Sequence, residues 1–126
     1  PQEISMIDVV KAVSMLQKVN VPVLGVVENM SFYRCPACGH TDEIFSRGGG
    51  KVLAKELKVE FFGELAIDPK VRYGGDTGRP VIVGAPDSDN AQTFGKIARA
   101  VAGAIAKQSG PPSQAVKRPA GLVTIR

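Results

Sequence analysis

Cys35-Pro36-Ala37-Cys38-Gly39 is the segment of the chain best suited to chemistry. A two-residue spacer lets both sulfurs face one metal from a tight knuckle, and the glycine lets backbone N–H groups of the turn point toward them. Such a pair reads as half of a zinc site, half of an iron–sulfur site, or a pair of redox thiols. The thioredoxin-type redox pair fits least, because the motif follows Ser31-Phe32-Tyr33-Arg34 instead of opening a helix. Four ligands are needed, and the chain has no other cysteine. His40 stands next in line, but a loop histidine that binds nothing is the commoner case. A second copy giving the other two sulfurs would complete the site, so the knuckle predicts a homodimer with a shared two-fold centre.

Three further segments invite a ligand. Ser46-Arg47-Gly48-Gly49-Gly50-Lys51 suggests a phosphate loop but fails on spacing: a Walker A loop needs an earlier glycine where Phe45 stands and a Ser or Thr where Val52 stands. A flexible turn at a helix N-terminus is the simpler reading. Glu28-Asn29-Met30 follows an apolar strand, and ligands gather at the carboxyl ends of parallel strands. Asn29 there could read a nucleotide base, or could only turn the chain. Asp68-Pro69 ends a second strand on the same edge, with an equally good role as a helix cap.

The elements that must position these residues alternate. Met6, Val9, Val13 and Leu16 mark one face of a helix over 3–18, which Asn20 and Pro22 end. Val21 to Val27 is a continuous apolar run, the pattern of a strand covered on both faces, and Phe61 to Ile67 is a second. Between them lie an irregular stretch, Glu28 to His40, and a helix over Lys51–Leu57. Asp68-Pro69 opens a short helix that Gly74-Gly75 and Gly78-Arg79-Pro80 stop, and Val81-Ile82-Val83 reads as a short extended piece. Asp87, Ser88 and Asp89 offer caps to a last helix, 89–107, with Phe94, Ile97, Ala98, Val101 and Ile105 on one face. This order predicts an α/β fold with a parallel sheet. Two doubly buried strands cannot cover themselves, so their neighbours must come from elsewhere.

Composition bounds the rest. With 44% hydrophobic and 22% charged residues, the chain is globular, not disordered throughout or fibrous. The net charge of +4 invites a nucleic-acid reading, but Lys117, Arg118 and Arg126 supply three of those charges and residues 109–126 hold no acid. With no basic helix stripe and no interleaved aromatics, the expectation is no nucleic-acid partner. No long apolar run or signal-like N-terminus occurs, so no membrane is expected either.

Pro22-Val23-Leu24-Gly25-Val26-Val27-Glu28-Asn29-Met30-Ser31, the cysteine knuckle, Gly48-Gly49-Gly50, Phe62-Gly63-Glu64-Leu65-Ala66-Ile67-Asp68 and Gly78-Arg79-Pro80-Val81 together resemble the C-terminal half of the Mrp/ApbC iron–sulfur cluster carrier ATPases. These are MinD-like P-loop NTPases with a deviant Walker A loop. The resemblance spans residues 1 to about 105 and implies that 1–108 is the C-terminal portion of a P-loop NTPase domain, a parallel sheet flanked by helices that is incomplete without its N-terminal strands. Residues 109–126 lie outside the resemblance and read as a disordered basic tail. The resemblance further implies a cytoplasmic homodimer that holds a four-iron four-sulfur cluster between subunits and passes it to apo iron–sulfur proteins under ATP control. Cys35 and Cys38 would then be the cluster ligands, Asn29 the adenine-reading residue, and Asp68 and Pro69 the base side of the pocket. The Walker A loop and magnesium site of such proteins precede this segment, so ATP and magnesium would bind only with that part, and the chain alone is expected not to hydrolyse ATP. Two other readings compete: a non-enzymatic zinc-knuckle dimerisation module, and one half of a split ATPase.

Overall fold

The structure is a computed structural model that describes residues 1–108. The reading of 109–126 as a tail therefore lies outside the described residues. Helix α1, Glu3–Lys18, ends where Asn20 takes a left-handed φ of 56°, and leads into strand β1, Gly25–Glu28. A short antiparallel hairpin follows, β2 (Tyr33–Arg34) and β3 (Thr41–Asp42), with the cysteines at its tip. Helix α2 (Gly49–Leu57) returns the chain to β4 (Glu60–Glu64), which pairs with β1 in parallel. Helices α3 (Pro69–Asp76), α4 (Val81–Gly84) and α5 (Asp89–Gln108) complete the chain.

The expected parallel pairing is present, since β1, crossover and β4 form one α/β unit. Its core is small. Leu53 and Ala54 of α2, Leu65, and Ala91, Ile97 and Ala104 of α5 are buried, and Val13 is the buried residue of α1. Double burial of the strands is not observed. Val27 of β1 is 38% exposed and Val21 precedes the strand in the open, because a two-stranded sheet offers neither face a complete cover. The apolar run of 21–27 thus shortens to a strand of four residues that ends on a buried glutamate, Glu28.

Three other boundaries move for local reasons. Helix α2 begins two residues before Lys51, because Gly48 at φ 91° and Gly49-Gly50 fold into its first turn. Helix α3 runs through Gly74-Gly75 to Asp76. Gly74 lies so close to the Arg79 carbonyl that a Cβ there would stand 2.7 Å from it. Val81–Gly84 is a helical turn and not an extended piece: Pro80 enters with φ −49°, and its carbonyl accepts from Val83 and Gly84, both at 2.9 Å.

Candidate functional site

The carboxyl edge of the sheet carries the site. Beyond Glu28 the chain stays zipped to the β4 side: Leu65 N–H donates to the Glu28 carbonyl at 2.8 Å, Ser31 N–H to Leu65 at 2.9 Å, and Ile67 N–H to Phe32 at 2.7 Å. Tyr33 and Ile67 pair in parallel. The hairpin with the cysteines is thus a continuation of the sheet edge, where sequence alone reads an irregular stretch. At its tip Cys35 N–H donates to the His40 carbonyl and Gly39 N–H to the Cys35 carbonyl, both at 2.8 Å, which closes the knuckle. The N–H groups of Cys38 and Ala37, with the Cys38 thiol, face the Cys35 sulfur and hold its thiol below the usual cysteine range. A lowered thiol pKa favours the thiolate that a soft metal centre requires. Cys35 is half-buried and Cys38 exposed. Among the described residues, no three His, Cys, Asp or Glu side chains gather as one metal site. His40 is not brought into a ligand group with the two cysteines.

Cys35, Pro36 and Gly39 line a cavity of about 680 Å³ together with Ala66 to Lys70 and the start of α5. Asp68 and Pro69 line it. The Asp68 carboxylate caps α3 by accepting from Lys70 N–H at 2.8 Å. Asn29 is not in this lining; its side-chain oxygen accepts from Met30 N–H at 2.9 Å, inside a left-handed turn at Met30. Cys38 is likewise outside the lining.

Two buried polar groups that the sequence reading does not single out set this geometry. Asn90, 4% exposed, makes both amide bonds to Ala66, accepting from its N–H and donating to its carbonyl at 3.1 Å each, and so fixes the Ala66–Asp68 wall to α5. Glu28, 3% exposed, accepts from Ser31 Oγ at 2.5 Å, Gly48 N–H at 2.9 Å and Gly50 N–H at 2.6 Å. Burial works to raise the Glu28 carboxyl, but these three donors outweigh it and hold the pKa below the ordinary carboxylate range. The glycine run at the α2 N-terminus is therefore an anion site filled by the protein's own carboxylate, which explains why its spacing is wrong for phosphate. Gly50 is required by close approach, since a Cβ there would stand 3.0 Å from that of Glu28. Next to this lock, Arg47 grips Glu64 bidentately, Nε and Nη2 donating to its two carboxylate oxygens, and lies 4.7 Å over the Phe32 ring, tying the glycine turn to the segment that leads into Cys35. Arg34 reaches across to Asp89 at 2.8 Å. Glycine and asparagine types hint at such roles, but their partners lie too far along the chain to be read from it.

A parallel βαβ unit with a ligand-sized cavity at its carboxyl edge defines a nucleotide-type α/β protein. The family model for the NUBPL iron-transfer P-loop NTPases, of the ParA group, matches residues 1–102, and the chain belongs to that family. It is 40% identical over 101 residues to the iron–sulfur cluster transfer protein NUBPL of Dictyostelium discoideum, covering 80% of this chain and 31% of that protein. It is also 40% identical to the iron–sulfur cluster carrier protein of Haemophilus influenzae, covering 80% of this chain and 27% of that protein. Among solved structures it is similar to a nucleotide-binding protein in complex with ADP from Archaeoglobus fulgidus, at TM-score 0.52 and 37% identity, over 64% of this chain and 32% of that one. The chain thus spans about a third of the length of the proteins it matches. The P-loop NTPase fold class expected from its motifs is the one these comparisons show. No helix among the described residues is long and apolar enough to cross a membrane.

Proposed function

We propose that this chain is the cluster-binding and base-binding side of an ATP-linked iron–sulfur carrier that delivers its cargo to apo iron–sulfur proteins in the cytoplasm. The carrying observation is the shared cavity: Cys35, Asp68 and Pro69 all line it. The names of the relatives, cluster carrier and cluster transfer protein, support the cargo, and the ADP complex supports the nucleotide.

In this reading Cys35 and Cys38 of each of two subunits ligate one four-iron four-sulfur cluster as cargo, since one chain offers two sulfurs where four are needed. The N–H groups facing Cys35 stabilise the thiolate that takes up the cluster, and exposure of Cys38 leaves room for a recipient thiolate to displace it. Asp68 and Pro69 line the base side of the nucleotide site, and Asn29 reads adenine from the neighbouring turn when nucleotide is bound. Magnesium and the phosphates are not held by the glycine run, whose N–H groups Glu28 occupies, so ATP hydrolysis depends on a phosphate loop outside this segment.

Anaerobic reconstitution with iron and sulfide tests the reading. The expected product is one cluster per dimer, absent in Cys35→Ser and in Cys38→Ser. Retention of the cluster in both variants, or zinc with no sulfide in protein purified without oxygen, refutes it; the zinc outcome would favour a knuckle that only dimerises.

A further inference from the structure

A second concavity lies beside the first. The groove between α3 and α4 encloses about 480 Å³ over a floor of Pro69, Tyr73, Val81 and Ala85, and its charged lining is Lys70, Arg72 and Arg79. Among the described residues no carboxylate lines it. Arg72 is paired with Asp76 at 2.7 Å, whereas Lys70 and Arg79 have no carboxylate partner among the described residues. Tyr73 on this lining is 65% exposed, so its ring is open to a partner. Pro69 and Lys70 line both this groove and the cavity that holds Cys35, so the two concavities share a wall.

We propose that the α3–α4 groove is the docking surface for the protein that receives the cluster, and that it takes an acidic segment of that partner carrying one apolar anchor side chain. The proposal rests on the carrier reading for the identity of the partner, but not for the binding itself. Unpaired cations around an apolar floor favour carboxylates flanking an aliphatic or aromatic residue, with the anchor supplying affinity and the charges supplying encounter rate and selectivity. Other occupants fit less well. A second copy docked here about a two-fold axis would set cations against cations. The chain's own 109–126 segment carries Lys117, Arg118 and Arg126 and no acid. A nucleic acid would leave the apolar floor unused and finds one aromatic ring, Tyr73, to stack on. Because the groove shares its Pro69-Lys70 wall with the cysteine cavity, a segment seated in it brings the rest of its protein next to Cys35, the placement that ligand exchange needs.

The test uses the full chain and a short fluorescein-labelled peptide with one leucine flanked by aspartates and glutamates, followed by fluorescence anisotropy without metal. A peptide with lysines in place of the acids and a short single-stranded RNA are the comparisons. The expected result is salt-sensitive binding of the acidic peptide, weakened about tenfold by Arg79→Glu or by Lys70→Glu and also by Tyr73→Ala, with no binding of the lysine peptide. Helical circular dichroism identifies which variants keep the fold, and the two charge reversals are independent, so loss of one to misfolding leaves the other. Binding unchanged by both reversals, or RNA bound as tightly as the acidic peptide, overturns the proposal. With the cluster loaded, Arg79→Glu should slow transfer to an acidic apo iron–sulfur protein without reducing the cluster retained; equal transfer overturns the recipient assignment. A chain that holds no cluster but binds the peptide in an Arg79-dependent way sinks the carrier reading and leaves the docking surface standing.

Discussion

Replacing Glu28 by glutamine changes one atom and tests the lock on which the sheet edge depends. In the native chain Oε1 accepts from Ser31 and Gly48 and Oε2 from Gly50. A glutamine offers one oxygen. If it faces Ser31 and Gly48, its NH2 group meets the Gly50 N–H; if it turns round, the NH2 group meets the Gly48 N–H. Either way one buried donor at the α2 N-terminus is left unpaired, and the carboxylate that complements the helix dipole is gone. An unpaired buried donor costs ~1–3 kcal/mol, which for a domain of this size lowers the melting temperature by roughly 4–12 °C. The pH dependence carries the sharper sign. The folded pKa of Glu28 is depressed, so its contribution is complete above the unfolded value of about 4.3 and disappears as pH falls through the lower folded value. The gap between wild type and Glu28→Gln should therefore be full at neutral pH and should narrow in acid below about pH 4. Thermal melts by circular dichroism at neutral pH and in acid measure both. Equal melting temperatures at neutral pH, or a gap that does not narrow in acid, would refute the assignment of Glu28 as the anion that fills the glycine turn.

Asn90→Ala should cost about 2 kcal/mol in urea denaturation, since two buried bonds to Ala66 are lost; an unchanged midpoint contradicts the tie between α5 and the Ala66–Asp68 segment. The rate of iodoacetamide alkylation at Cys35, followed by mass spectrometry, should rise with a midpoint below the ordinary cysteine value of about 8.5; a midpoint at or above it contradicts the N–H contacts from Cys38 and Ala37. Gly74→Ala should destabilise by about 1–3 kcal/mol in the same denaturation assay, because the added carbon meets the Arg79 carbonyl at 2.7 Å and the Val81 nitrogen at 3.1 Å.

What the sequence discloses and what it hides divide by distance along the chain. The knuckle is legible because spacer, sulfurs and N–H donors all fall within Cys35–Gly39, and the α3 start is legible because Asp68 caps its own neighbour Lys70. The helix expected over 3–18 is found there and the one expected over 89–107 ends one residue later, at Gln108, because periodicity over long stretches is a strong signal. The extended reading of Val81–Val83 fails because three β-branched residues state a preference that Pro80 and the packing of Gly74 against Arg79 override. Likewise the apolar run 21–27 states burial without saying by what, and among the described residues its strand pairs with β4 on one edge and leaves the other edge without a partner strand.

The site residues that escape detection are polar groups with distant partners: Glu28 with Gly50, Arg47 with Glu64, Asn90 with Ala66. Read singly, a glutamate, an arginine and an asparagine are ordinary surface residues, and nothing local announces that two of them are buried. Yet they decide how the legible motifs relate. Glu28 draws the glycine turn onto the end of β1, Arg47 carries that contact to Phe32 and so to the knuckle, and Asn90 fixes the Ala66–Asp68 segment to α5. A contiguous motif tells which atoms can bind a metal; only this second set, assembled by the fold, tells that Cys35, Asp68 and Pro69 line one cavity. The Glu28 and Asn90 variants therefore bear on function more directly than their distance from the sulfurs suggests. Each should disturb the relation between the two segments while leaving Cys35-Pro36-Ala37-Cys38 unchanged in sequence, so in the proposed carrier, assembled with its phosphate loop, a variant that binds cluster without responding to nucleotide is the expected outcome.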